Sequence, residues 1–107
     1  MTQGRWTVRL RLATKGDLAE AIAWYKQEAP EQVQRFRTEF GEALRAIRSR
    51  PYLYPARAEP VRCYAMRVFP YGLWYVIDEP TLTLQVLAVL HFKRDPETLA
   101  ERLATGH

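Results

Sequence analysis

The sequence holds one cysteine, one serine, two histidines and five scattered glycines, and it has no long apolar run. Each shortage removes a class of function. A lone Cys63 cannot build an internal disulfide framework or a cysteine-rich zinc site, and it fits a reducing compartment. Two histidines, one of them the terminal His107, are too few for a His-based metal site. Ser49 is the one serine, so no Ser–His–Asp arrangement stands out. The glycines form no phosphate-cradling loop. No stretch approaches the roughly 18 apolar residues of a membrane span. Arg5, Arg9 and Arg11 break up the N-terminus, which has no signal-peptide core. The expectation is a cytoplasmic protein with no cofactor, no metal and no membrane partner.

What is present argues for one compact domain over residues 1–107, because 48% of the 107 residues are hydrophobic and three Trp, six Tyr and four Phe are among them. That content excludes intrinsic disorder. The net charge of +4 is uneven: residues 1–50 hold ten basic and six acidic side chains, and residues 51–107 hold six of each. Arginine supplies 13 of the 16 cations. Its planar fork suits phosphate and carboxylate, which favours an acidic or phosphate-bearing partner, the alternative being a soluble domain that simply happens to be basic.

Residues 6–12 alternate, with Trp6, Val8, Leu10 and Leu12 on one face and Arg9 and Arg11 on the other, the period of a half-buried strand. Thr14 and Asp17 read as a capping box for a helix carrying Leu18, Ala21, Ile22 and Tyr25 as far as about Glu28. Pro30 suits the first turn of a second helix, with Val33, Phe36, Phe40, Leu44 and Ile47 at spacings of three and four and an end near Arg50. The short connection makes the two helices an antiparallel hairpin. Pro51–Pro60 reads as irregular. Tyr64, Met66 and Val68 then alternate with Cys63, Ala65 and Arg67; Phe69-Pro70-Tyr71-Gly72 is a turn; Leu73 to Ile77 is a strand; Asp78 to Thr81 is a turn; and Leu82 to Leu90 is a strand apolar on both faces and therefore central. Asp95-Pro96-Glu97 opens a short helix to about Leu103. The expected fold is α+β: an N-terminal strand, a helical hairpin on one face of a curved, mainly antiparallel four-stranded sheet, and a short C-terminal helix. The other sheet face is expected to be open.

Few residues can carry chemistry. Arg67 is placed on a strand face opposite Tyr64, Met66 and Val68, where it is either a solvated arginine or one able to hold phosphate bidentately. His91 and Arg94 follow the most apolar strand. A histidine there serves as a structural hydrogen-bonder or as a general acid or base near neutral pH. Lys93 and Arg94 read equally as a solvated turn. Trp24, Tyr25, Tyr71, Trp74 and Tyr75 are core or interface aromatics, with base stacking open to one or two. Arg, His and Tyr without metal could cleave RNA through its 2′-OH, whereas DNA hydrolysis is disfavoured.

Several segments together resemble the RelE/ParE superfamily of type II toxins, also called plasmid stabilisation proteins. They are Asp17-Leu18 with Ala21 to Tyr25, Phe36 with Ala43, Leu44 and Ile47 ahead of Pro51, Arg67 to Tyr75, and Val89 to Pro96 with its His-x-x-Arg-Asp-Pro ending. The resemblance spans about residues 8–102. It implies a toxin wrapped and blocked by a cognate antitoxin, with operator DNA bound only through that complex. RelE-like members cut mRNA on the ribosome, and Arg67 falls where they place a phosphate-stabilising arginine; on that branch Arg67, His91 and Arg94 would be catalytic. ParE-like members poison DNA gyrase, and on that branch Arg67, Tyr71, Trp74, His91, Lys93 and Arg94 would form a protein-binding surface. Nothing aromatic follows Phe92, where the nucleases often carry a Tyr, which favours the ParE-like branch. Leu99 also replaces a Trp common in that branch. A binding module of this family that has lost toxicity is the third reading.

Overall fold

The computed structural model describes residues 5–105. His107 lies outside them. The elements, in chain order, are β1 (Thr7–Leu10), α1 (Leu12–Glu28), a single 3-10 turn (Pro30–Gln32), α2 (Val33–Ser49), β2 (Ala56–Ala58), β3 (Val61–Ala65), β4 (Tyr71–Asp78), β5 (Thr83–His91) and α3 (Pro96–Thr105). The sheet order is β1-β5-β4-β3-β2, with β1 parallel to β5 and the other pairs antiparallel. The α+β layout is the one the periodicities predict, with one short strand more. β2 escapes a sequence reading because it is three residues long, lies among prolines and meets β3 through an irregular register.

The first strand is shorter than its alternation predicts. It ends at Leu10, and the chain turns into α1 at Leu12, whose side chain is 86% exposed instead of packed beside Val8 and Leu10. The turn comes where the Arg11 amide donates to the Val86 carbonyl, the last backbone link to β5. Thr14 and Asp17 are not a capping box. Both lie inside α1 and are buried, and no side chain caps the helix start. The Thr14 hydroxyl donates to the Val86 carbonyl at 2.7 Å, and the Asp17 carboxylate accepts the Val89 amide at 3.1 Å.

The main core lies between the helical hairpin and the sheet. Phe36, Ala43 and Ile47 of α2 and Ala21 and Tyr25 of α1 meet Leu73, Tyr75, Leu84, Val86 and Val89. An aromatic knot of Tyr25, Phe36, Phe69 and Tyr71, with ring centroids 5.1 to 6.3 Å apart, closes one end. Phe69 and Tyr71 reach this knot from the loop after β3 and the start of β4.

The second sheet face is not open. Val61, Cys63, Trp74, Leu87, Ala88 and Leu90 form a second cluster, against which Leu99 and Leu103 of α3 pack. An aliphatic pair one helical turn apart gives α3 a reason to cover that face rather than extend into solvent. Gly72 pairs with Leu90 inside β4, and a Cβ there would come within 2.5 Å of the Trp74 ring and 2.8 Å of the Phe92 ring. Only glycine lets both rings lie against the backbone at this position. Trp74 therefore belongs to the second core, with 3% exposure.

Arg102 fastens α3 to α1. Its guanidinium holds both Asp17 oxygens at 2.7 and 3.0 Å and also donates to the Leu87 carbonyl at 3.0 Å. Replacing Asp17 by Ala leaves a buried amide and a half-buried guanidinium without their acceptor. A loss of about 3 kcal/mol in urea unfolding is expected, and a loss below about 1 kcal/mol would show that the node does not hold the fold together.

Candidate functional site

The end of the β4–β5 hairpin sets the site. Tyr71 and His91 are the last register pair, and after His91 the chain turns at once into α3. His91 organises that turn. Its Nδ1 accepts the amides of Lys93 and Arg94 at 3.0 and 3.1 Å, and its own amide donates to the Asp95 carboxylate at 2.9 Å. An acceptor Nδ1 places the proton of the neutral ring on Nε2. Burial lowers the His91 pKa below its ordinary value, and the Arg94 and Lys93 charges lower it further against the opposing pull of Asp95.

The turn throws Arg94 back over α1. Its guanidinium lies 4.2 Å from the centre of the Trp24 ring and 5.7 Å from that of Tyr71, and it donates to the Tyr71 hydroxyl at 2.6 Å. Cation, indole and phenol thus hold one another in fixed geometry, with Trp24 and Arg94 accessible and Tyr71 buried beneath them. Burial raises the Tyr71 pKa, with Arg94 opposing, so the phenol is the neutral acceptor of this bond. Around the trio is a cleft of about 330 Å³ lined by Trp24, Tyr71, Arg94, Asp95, Glu20 and Gln27 among others. Asp17 and Ala21 form its inner wall, one α1 row with Trp24 at spacings of four and three.

The sequence-derived candidates separate into three places. Tyr71, His91 and Arg94 come together, the Tyr71 and His91 rings meeting edge to face at 5.3 Å. Lys93 sits exposed in the same turn, tied by its amide. Trp74 lies in the second core, edge-on to Phe92 at 5.5 Å. Arg67 is elsewhere. β3 ends at Ala65, so Arg67 is not a strand residue as its alternation predicts, but an exposed residue of the following bends. Its charge acts on the Tyr64 hydroxyl, beside Glu39 and Glu42 of α2. Among the described residues it makes no hydrogen bond, ion pair or ring contact with Tyr71, His91 or Arg94.

Two contributors escape the sequence reading. Trp24, 42% exposed, follows the apolar stripe of α1 closely enough to read as core. Asp17 sits where a cap is expected and instead forms a wall of the cleft. The signal for both is the shared row Asp17–Ala21–Trp24.

Comparison with known proteins places this geometry. A family model described as the ParE toxin of the type II toxin-antitoxin system, parDE, matches residues 8–96. The chain belongs to the ParE toxin family, and so to the toxins of type II toxin-antitoxin systems. Among solved structures, a chain of the chromosomal ParDE TA system from P. aeruginosa superposes with a TM-score of 0.69, covering 81% of this chain and 96% of that one at 13% identity. That likeness is one of fold. A search of curated proteins finds no match. No helix among the described residues is long and apolar enough to cross a membrane.

The hydrogen bonds on His91 Nδ1 have a measurable consequence. A group whose folded pKa lies below its unfolded value contributes stability above the unfolded pKa and loses it as pH falls towards the folded one. Titration of the His91 ring by NMR is expected to give a midpoint below about 6.5 with the Nε2–H tautomer above it. A midpoint above the unfolded value, or an Nδ1–H ring, would contradict the turn geometry.

Proposed function

We propose that this toxin is held inactive by a cognate antitoxin and that, once free, it binds and poisons DNA gyrase rather than cutting RNA. One observation carries the reading. The groups that cleavage would use are committed or apart: His91 spends Nδ1 on two backbone amides, Arg94 is fixed between Trp24 and Tyr71, and Arg67 touches neither. A ribonuclease would need a base with a free lone pair and an arginine converging on one phosphate.

The same arrangement suits protein recognition. A rigid aromatic beside a stacked arginine, at the mouth of a cleft, has the composition of an interface anchor. Trp24 and Arg94 would supply it, with Lys93 at the rim.

The test is purified toxin with gyrase and relaxed plasmid, scored for trapped double-strand breaks, together with mapping of message 5′ ends after brief induction without antitoxin. Trapped breaks and intact messages are expected. Trp24→Ala and Arg94→Ala should each reduce trapping at least about tenfold with unfolding midpoints close to wild type. New 5′ ends within reading frames, abolished by Arg67→Ala, would overturn the proposal in favour of a ribosome-dependent nuclease.

A further inference from the structure

Helix α2 has a polar surface divided by charge. At about 100° per residue, Arg37, Gly41, Arg45 and Arg48 fall within a sector of about 80°, while Glu39 and Glu42 lie towards the opposite flank. No carboxylate interrupts the arginine sector. Two grooves adjoin it. One is lined by Lys15, Leu18, Ile22 and Lys26 of α1 together with Arg37. The other is lined by Trp6, Thr7, Val8 and Leu44 together with Arg45 and Arg48.

These cations are available. Arg37 and Arg45 are exposed and make no ion pair or hydrogen bond among the described residues. Arg48 is exposed and donates Nε to the Trp6 carbonyl at 3.1 Å, and its two terminal nitrogens make no hydrogen bond among the described residues. Arg5 adds a cation over the Trp6 ring at 5.3 Å. The Arg102–Asp17 ion pair at the β5 edge takes up none of these cations. Six of the ten basic residues of the first half of the chain, Arg5, Lys15, Lys26, Arg37, Arg45 and Arg48, therefore belong to this face, its two grooves or the Trp6 ring that lines one of them.

We infer that the Arg37–Arg45–Arg48 face of α2, flanked by Lys15 and Lys26, binds the phosphodiester backbone of duplex DNA without reading its sequence. Eleven residues of helix separate Arg37 from Arg48, a rise of about 16 Å, enough to reach two or three successive phosphates of one strand. Arginine favours this partner through its bidentate fork. Single strands fit less well, because they call for exposed rings on which bases stack, and the aromatic residue in the adjoining groove, Trp6, is 4% exposed. The assignment rests on this surface alone and holds whether or not gyrase is the target.

The test uses the full-length toxin and a fluorescent 20-base-pair duplex of arbitrary sequence, with anisotropy read across a salt series. Binding that is insensitive to sequence is expected, with a log–log salt slope of about −3 from three arginine contacts. The triple change Arg37→Gln, Arg45→Gln and Arg48→Gln should weaken binding at least tenfold and bring the slope close to zero. Arg57→Gln with Arg67→Gln and Arg35→Gln removes the same charge from other places and should leave both nearly unchanged. Equal loss in that control would reduce the effect to net charge and overturn the assignment. So would absence of binding at low salt, or tighter capture of a glutamate-rich peptide or of duplex RNA by the same arginines.

Discussion

The free edge of β5 is the constraint on which the rest of this structure depends. β1 pairs with β5 only from Thr83 to Val86, so the strand's remaining polar groups face outward with no neighbouring strand. Buried amides and carbonyls without partners are costly, and an unpaired edge invites association. Side chains take the place of the missing strand. Arg102 meets the Leu87 carbonyl, Asp17 the Val89 amide and Asp95 the His91 amide, and Thr14 adds a second donor to the Val86 carbonyl that the Arg11 amide also reaches. Asp17 and Arg102 also grip each other, with side-chain exposures of 6% and 18%, so one node joins α1, β5 and α3.

The candidate site follows from that edge. Because Asp17 fixes α1 against Val89, the next turns of the same helix row bring Ala21 and Trp24 alongside the end of the hairpin. Because Asp95 and the His91 ring fix the turn after β5, Arg94 is delivered onto Trp24. Neither half of the cleft would be placed without the polar contacts of the strand edge. The site is thus built on rigid elements, as a recognition surface must be if binding is not to be spent on ordering it.

Much of the fold was legible because its signals are local. The stripes of α1 and α2, the two-sided apolar run of β5 and the Pro96 start of α3 each follow from spacing alone, and the grouping of Tyr71, His91 and Arg94 follows from hairpin adjacency. What was not legible depends on distant partners. Thr14 and Asp17 have the residue types of a cap, and only the missing length of β1 explains why they face a strand 72 residues away. Alternation put Arg67 in a strand because Met66 is indeed buried, but Pro70 and the inward pull of Phe69 towards the aromatic knot end β3 early. The covered second face was hidden for the same reason: Leu99 and Leu103 are too few to announce which surface they will cover.

The fold therefore turns on whether the side chains of α1, α3 and the turn between β5 and α3 act as the missing strand. Native-state hydrogen exchange at the Val89 amide tests this most directly, since its acceptor is the Asp17 carboxylate. The expected result is exchange only through global unfolding, with a protection free energy equal to the unfolding free energy and equal to that of amides in the centre of β4. Exchange of Val89 several kcal/mol more readily than those amides would mean that the edge opens locally, and that the Asp17–Arg102 node does not organise the fold.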